Sequence, residues 1–371
     1  MTIAISGTNG ITLDGQFNSA SSMGFKNRII NGAMVIDQRN AGASVTIGAA
    51  DVYCLDRWMS QASQASKFST QQNAGSVTPP IGFVNYHGNT SLSSYSVTAT
   101  DYFQVQQIIE GLNVADLGWG TANAATVTLS FWVRSSLTGT FGGALANSSV
   151  NRSYPFSYTI NAANTWEQKS ITIVGDTSGT WLTTNGNGIR LFFSLGMGSN
   201  RTGTAGAWAG ADYRSATSAT SVVGTNGATF YITGVQLEKG STATSFDYRP
   251  YGTELALCQR YYEKSFDIGT AVAQNSGTYN GTAVAPSPGA LSGMSFSDTR
   301  YKINKRTAST VTFYNPAAAN AFARDQNAGV NCTATSAWMA GESSFAITAS
   351  TPVGSGVTNR VAVHWSADSE L

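Results

Sequence analysis

The fold is decided by residues 127–134, VTLSFWVR, in which apolar and polar side chains alternate. Alternation with a period of two predicts a β-strand with one buried face. Residues 189–195, IRLFFSL, repeat the pattern, and clusters of Gly, Ser, Thr and Asn separate such runs without a long helical pattern between them. Half-buried strands joined in this way form antiparallel β-sandwiches or jelly rolls. The sequence therefore predicts an all-β fold.

One of the later strands changes parity along its length. Phe230 and Ile232 alternate as far as Gly234, after which Val235 and Leu237 fall on the opposite parity. A one-residue shift at a glycine is typical of a β-bulge, which inserts one extra residue into a strand. We therefore predict a bulge at Gly234.

The pattern changes again near residue 250. Residues 253–262, TELALCQRYY, follow a proline and open with a threonine, a residue type that caps helices, and their apolar residues fall at helical spacing. They predict one short helix between two domains. Beyond it, a second, smaller β-sandwich domain is predicted by alternating pairs at 301–303, 311–313, 345–347 and 361–363.

The first thirty residues differ from the rest. They are rich in Gly, Ser and Asn and carry the turn pairs Asn9-Gly10 and Asp14-Gly15. A segment this short cannot bury a core of its own, so it predicts an extended arm that packs on a partner or on another copy of the chain. The predicted organisation is an N-terminal attachment arm at 1–30, a jelly roll at 31–252 and a C-terminal β-rich domain at 253–371.

The composition excludes several classes of protein. Only 11% of the 371 residues are charged, and 21 Lys and Arg balance 20 acids, so no basic excess is available to neutralise nucleic-acid phosphates. Aromatic residues make up a further 11%, which argues against disorder. No apolar stretch approaches the roughly 18 residues of a membrane span, and no signal peptide is visible. Three widely separated cysteines predict no disulfide framework, so we expect folding in a reducing cytoplasm.

The sequence offers little material for catalysis. It has no serine-hydrolase elbow, phosphate-binding loop or zinc-protease motif, and its two histidines are His87 and His364. His364 falls on the outward parity of its strand and is expected to be solvated. Metal-ligand spacings are missing too, so we expect no enzymatic activity, no cofactor and no metal.

Paired carboxylates are the remaining route to glycoside hydrolysis. The candidate pairs are Asp51 with Asp56 and Glu238 with Asp247. The run Asp56-Arg57-Trp58 is better explained by a structural Asp–Arg ion pair beside a buried tryptophan, so we do not assign a catalytic pair.

Aromatic residues are the candidate binding residues. Trp132 and Phe192 fall on the parity opposite to the apolar residues of their strands, so both are expected to point away from the core. Trp119, Trp181 and Trp208 lie in loops rich in Gly, Thr and Asn, where binding residues often lie. Exposed rings stack on sugars or anchor protein interfaces. The alternative is that loops or a subunit interface cover all five rings.

Several stretches resemble a group of tailed-bacteriophage virion structural proteins of the tail-fibre and head-decoration type. The stretches are 27–39 (NRIINGAMVIDQR), 53–58 (YCLDRW), 127–135, 165–167, 234–250 (GVQLEKGSTATSFDYRP), 254–265 and 365–371 (WSADSEL). The resemblance spans residues 27–371 and includes a jelly roll similar to carbohydrate-binding modules. It implies a virion protein that is often a homotrimer, and it brings no catalytic residues with it.

Three functions are compatible with these patterns. The first is a tail fibre or receptor-binding protein that docks on other virion proteins through residues 1–30 and displays its β domains to host surface polysaccharide. The second is a capsid decoration, cement or head-fibre protein. The third, a glycan-degrading enzyme, is disfavoured by the two histidines and the sparse acids. In all three the chain is expected to bind no nucleic acid and to insert in no membrane.

Overall fold

The computed structural model describes residues 26–287, 298–351 and 358–371, together with three short strands outside those ranges. Two of these strands, β1 (Ile3–Ser6) and β2 (Gly10–Leu13), pair as an antiparallel hairpin. Most of the predicted arm, residues 1–30, therefore lies outside the described residues.

The larger part of the chain is a β-sandwich. Its strands are β3 (Val45–Thr46), β4 (Val52–Leu55), β5 (Trp58–Ala62), β6 (Phe68–Gln72), β7 (His87–Ser91), β8 (Tyr102–Glu110), β9 (Val127–Ser135), β10 (Gly139–Ala146), β11 (Ser153–Ile160), β12 (Glu167–Ile173), β13 (Asn187–Met197), β14 (Thr202–Gly203), β15 (Ser215–Ala216) and β16 (Thr229–Lys239). Sheet 1 has the order β11-β10-β13-β8-β5-β4, and sheet 2 has the order β12-β9-β16-β7-β6-β3. The predicted all-β sandwich is confirmed.

Inward-facing side chains of both sheets meet in one core. Val127, Leu129 and Phe131 are fully buried, as their alternation predicts, and the Phe131 ring lies 5.0 Å from the ring of Phe193 in the other sheet. Burial of each such side chain contributes about 1.5–3 kcal/mol. The period-two pattern in the sequence thus marks the side chains that hold the sheets together.

The predicted bulge is present in β16. The pairing of β16 with β9 shifts register between Thr233 and Gln236, and Gly234 adopts a left-handed conformation with φ of 60°. A Cβ atom on Gly234 would lie 2.5 Å from the Cζ atom of Phe83. Glycine is required here by both the backbone conformation and the neighbouring ring.

The second β unit follows helix α1 (Tyr251–Gln259), which begins directly after Pro250. The predicted Thr253 cap is wrong, because the helix starts two residues earlier and no side chain caps it. The strands of this unit are β17 (Tyr262–Lys264), β18 (Ala283–Pro286), β19 (Met294–Ser295), β20 (Thr299–Arg300), β21 (Thr310–Tyr314), β22 (Arg324–Asp325), β23 (Val330–Asn331), β24 (Thr333–Trp338), β25 (Ser344–Ser350) and β26 (Arg360–Asp368). A separate core gathers Phe313, Phe345 and Trp365.

Strand β26 organises this second unit. It pairs with β17, β18, β21 and β22, while β25 pairs with β19, β20 and β24. His364 of β26 is fully buried, and its ring stacks on Phe266 with centroids 3.8 Å apart. The expectation of a solvated His364 is therefore wrong, because β26 is covered on both faces.

Ion pairs join the C-terminal residues to the sandwich. Glu370 pairs with the buried Arg57 and with Arg39, whose guanidinium also lies 2.9 Å from Asp368. Arg57 therefore does not pair with Asp56, which instead accepts hydrogen bonds from the backbone and side-chain amides of Gln38 at 2.7 and 2.6 Å. The predicted Asp56–Arg57 pair is wrong, although Trp58 is buried as expected.

The described packing begins earlier than the predicted end of the arm. The backbone N–H of Lys26 donates to the Asp247 carboxylate at 2.9 Å, and Ile29 and Ile30 are buried. Residues 26–30 thus belong to the folded body, because Asn27, Ile29 and Ile30 are buried in it.

Three properties of the described residues concern membrane-spanning helices, metal sites and cysteines. No helix there is both long and apolar enough to cross a bilayer. No group of three or more His, Cys, Asp or Glu side chains is arranged to hold a metal ion in the same ranges. Cys54, Cys258 and Cys332 are all free thiols and buried.

Candidate functional site

Three of the five predicted aromatic residues come together at one site. The rings of Trp119, Trp181 and Trp208 pack edge to face, with centroid separations of 4.7, 5.4 and 5.4 Å. The three residues come from separate loops, so only the tertiary fold brings them together. Trp119 is buried, and the other two are half-buried.

Hydrogen bonds fix all three indole rings. Trp119 donates to the Ala125 carbonyl at 2.8 Å, Trp208 donates to the Val174 carbonyl at 2.8 Å, and Trp181 donates to the Ser178 carbonyl at 3.1 Å. These contacts tie three loops together, and contact of the half-buried Trp181 and Trp208 rings with a sugar stays a prediction.

Trp132 lies elsewhere, on the outer face of sheet 2. It is half-buried, opposite Gln168 of β12 and Thr233 of β16. A Cβ atom on Gly234 would lie 3.1 Å from its Cδ1 atom. The ring thus points away from the core as predicted, but neighbours cover part of it.

Phe192 lies on the outer face of sheet 1. It faces away from the sandwich core and packs with Ala144 and Ala146, as its parity predicts. It is only 1% exposed, however, and the guanidinium of Arg214 lies 5.5 Å above the ring. The prediction that the Phe192 ring is exposed is wrong, because the segment that carries β15 folds back over β10 and β13.

A buried polar floor continues from Phe192 across sheet 1. Phe192 is paired with Gln106 of β8, and the neighbouring pair is Ser194 with Gln104. Residues directly opposite each other in an antiparallel pair share a face. Gln104, Gln106 and Ser194 are 0–1% exposed, and one oxygen of each has no hydrogen-bond partner among the described residues. A buried oxygen without a donor costs about 1–3 kcal/mol, so these three oxygens lower the stability of the folded protein.

The floor fixes one half-buried side chain above it. Both Gln104 and Gln106 donate their amide N–H groups to the carbonyl oxygen of Gln61, at 2.7 and 2.8 Å. Because both floor amides bind its oxygen, Gln61 retains two amide N–H donors that bond to no group among the described residues.

Aromatic and cationic side chains lie on the same face of sheet 1 as Gln61. Tyr102 is half-buried, and the guanidinium carbons of Arg201 and Arg214 lie 5.2 Å from its ring centroid. Arg214 is held by Asp212 through two hydrogen bonds of 2.8 and 3.0 Å, and Asp212 also accepts from Arg201. Arg190 of β13 completes the set. We call these residues, Gln61, Tyr102, Arg190, Arg201 and Arg214, the sheet 1 rim.

No motif in the sequence marks this rim. Gln and Arg occur throughout the chain without a motif, and Phe192 is the one aromatic candidate that lies on the outer face of sheet 1. The run 104–107, QVQQ, carries polar residues at outward positions of a buried strand, and that pattern was available. Which outward residues remain half-exposed depends on the fold of residues 199–217.

Three cavities within the described ranges lie away from the sheet 1 rim. One of about 430 Å³ is lined by Lys169 and Thr244, and one of about 250 Å³ is lined by Phe83 and Tyr248. The third, of about 280 Å³, is lined by Ile30 and Leu257.

Glu238 and Asp247, one of the two pairs considered for hydrolysis, have structural partners. Glu238 accepts from the backbone N–H and hydroxyl of Thr244 at 2.8 and 2.6 Å, and Asp247 accepts from the backbone of Lys26. These bonds tie the segment after β16 and the start of the described chain to sheet 2.

Comparison with known proteins gives fold likenesses only. No protein-family model matches the chain, and no curated protein matches it. Among solved structures, the enzymatically active domain of tailspike protein 4 of bacteriophage CBA120 aligns at 12% identity and a TM-score of 0.33, covering 58% of this chain and 21% of that one.

Carbohydrate-binding modules give similar values. A family 61 module, TmCBM61, in complex with β-1,4-galactotriose aligns at 10% identity and a TM-score of 0.32, covering 58% of this chain and 100% of that one. A family 11 module from Clostridium thermocellum aligns at 12% identity and a TM-score of 0.28, covering 54% and 98%. These values are too low to transfer a function, and the sandwich assignment rests on the two facing sheets.

Proposed function

We propose that this protein is a non-enzymatic structural protein of a tailed-bacteriophage virion, a tail fibre or receptor-binding protein that binds host surface glycans through the sheet 1 rim. The observation that carries the glycan part is the hydrogen bonding of Gln61. Two buried glutamine amides hold its carbonyl oxygen and leave its N–H donors for a ligand. Amide donors beside an aromatic ring suit sugars, which combine hydroxyl acceptors with apolar ring faces.

The virion part of the proposal rests on the sequence resemblance and on the N-terminal hairpin. In that hairpin the backbone of Ile3 is paired with that of Leu13, and the backbone of Ile5 with that of Ile11. A two-stranded hairpin is marginal by itself in water. Such a hairpin suits docking on another virion protein, in a homotrimer assembled in the host cytoplasm and carried on the virion.

Glycan binding is tested on the full chain with immobilised host surface polysaccharides. We expect Gln61→Ala to weaken binding about fivefold to tenfold, because one or two hydrogen bonds are lost. The matched control is Gln168→Ala, which truncates an exposed glutamine on the outer face of sheet 2. The glycan proposal fails if the parent protein binds no polysaccharide, or if both variants bind as well as it does.

Virion attachment is tested by deleting residues 1–24, which keeps the Lys26 contact with Asp247. We expect a folded oligomer of unchanged size that no longer enters virions, and normal incorporation would refute docking by the hairpin. Imaging of virions labelled on this protein separates a tail fibre from the alternative, a capsid decoration protein, because label on the head facets would contradict the fibre assignment.

A further inference from the structure

We infer that the sheet 1 rim binds an acidic glycan, whose sugar carboxylate is held by the guanidinium of Arg190. This inference rests on the proposed function, because it names the chemical class of the ligand at the same site. It adds a charge requirement that glycan binding by itself does not contain.

Arg190 is placed inside the proposed binding face. It lies on β13, opposite Ala146 of β10 and Ile108 of β8, and two residues from Phe192 on the same side of the strand. Successive residues on one face of a strand are about 6.6 Å apart. Arg190 is half-buried, and its Nε–H donates to the Ser148 carbonyl at 3.3 Å. The guanidinium is therefore anchored at one end beside the floor.

Arg190 has no carboxylate within 4 Å, a property that it shares among the described residues with the half-buried Arg134, Arg306 and Arg324. The arginines with a carboxylate within 4 Å include Arg39, Arg57, Arg152, Arg249 and Arg260. No such ion pair to Arg190 is found within the part of the chain that the structure describes. A partly desolvated cation without an anion is costly to keep.

Neighbouring charges do not neutralise Arg190. Arg201 and Arg214 share the single carboxylate of Asp212, which leaves one positive charge in excess there. The exposed Asp51 lies on the other side and offsets one charge at a distance. Three cations and two carboxylates leave a net charge of +1 at the rim. Burial, and next the charge of Arg214, lower the pKa of Arg190, whereas Tyr53, Asp51 and Asp212 act in the opposite direction.

A sugar carboxylate is the anion that fits this position. Guanidinium and carboxylate form two parallel hydrogen bonds in one plane, and a single monovalent group matches the net charge. The donors of Gln61 and the ring of Tyr102 lie on the same face and would contact the hydroxyls and ring faces of the same chain.

The test uses uronate-containing capsular and exopolysaccharides, each paired with the same polymer after reduction of its carboxyls to hydroxymethyl groups. Affinities of the full chain for both members of a pair are measured by calorimetry. We expect native polymer to bind and reduction to weaken binding about tenfold to a hundredfold. A sulfated neutral polysaccharide serves as a third probe, and preference for it over the uronate polymer would overturn the carboxylate assignment.

Two variants test whether the guanidinium of Arg190 binds the carboxylates of the polymer. We expect Arg190→Gln to lose affinity for native polymer about as much as reduction does, and to bind reduced polymer like the parent. Arg190→Lys keeps the charge without the planar fork and is expected to recover part of the affinity. The matched control is Arg134→Gln on the outer face of sheet 2, where a half-buried arginine donates to the Asn164 carbonyl at 3.0 Å. Melting temperatures verify that all three variants fold.

The outcomes separate the inference from the proposed function. Equal binding of native and reduced polymers, with Arg190→Gln unaffected, would overturn the acidic-glycan inference and leave glycan binding intact. Binding of no polymer by the parent protein would overturn both. If Arg190→Gln fails to fold, the comparison of native with reduced polymer by the parent and by Arg190→Lys still decides the question.

Discussion

Protonation of His87 should destabilise the sandwich as the pH falls. His87 lies on the inner face of β7, is fully buried, and packs near Trp58 with ring centroids 6.4 Å apart. Its Nε2 atom is hydrogen-bonded to the Thr70 hydroxyl, and its Nδ1 atom has no partner among the described residues. Burial lowers the pKa of His87 from 6.5 to about 3. The folded protein therefore holds this imidazole neutral.

The sign and size of the effect follow from linkage. Above pH 6.5 the imidazole is neutral in both states and pH has no effect through this group. Between pH 6.5 and pH 3 the unfolded chain binds a proton at this imidazole that the folded chain does not bind. The free energy of unfolding therefore decreases as the pH is lowered. One pKa unit corresponds to about 1.4 kcal/mol. The loss is thus about 2 kcal/mol at pH 5, and it levels off near 5 kcal/mol at pH 3.

Urea unfolding of the parent protein and of His87→Gln measures this effect. Carboxylate titrations are common to both proteins and cancel when the change in unfolding free energy between pH 8 and pH 5 is compared. We expect the parent to lose about 2 kcal/mol more than the variant. Equal losses would refute the reasoning, as would an NMR titration in which His87, one of two histidines in the chain, gains its proton in the folded state near pH 6.

Two further substitutions test the packing. Glu370→Gln leaves the buried Arg57 without its anion and should lower the free energy of thermal unfolding by about 3 kcal/mol. The control Asp298→Asn breaks an exposed pair and should lower it by less than about 0.5 kcal/mol. Similar losses in the two variants would contradict the importance of the C-terminal ion pairs. Gly234→Ala should cost about 1–3 kcal/mol through its left-handed conformation and the adjacent ring. Gly210→Ala, with nothing within 4 Å of the added methyl group, should be nearly neutral, and equal stability of the two variants would argue against the bulge geometry.

Sequence patterns predicted the features that depend on neighbouring residues along the chain. The strands around Phe131 and Phe193, their inward parity and the bulge at Gly234 all follow from a period of two and its interruption. The prediction failed where a distant segment decides exposure. Phe192 has the predicted parity, yet residues 199–217 cover it, and His364 is enclosed between elements far apart in the chain.

The sequence by itself determined that this chain is an all-β sandwich, because strand alternation and turn residues are local properties that a single segment carries. Only the tertiary structure decided which polar side chains meet on the outer face of sheet 1. Packing of Gln104 and Gln106 beneath Gln61 fixes that side chain, and the position of Asp212 beside Arg201 and Arg214 leaves Arg190 without an anion. Such arrangements depend on distances between strands and loops that no single segment specifies.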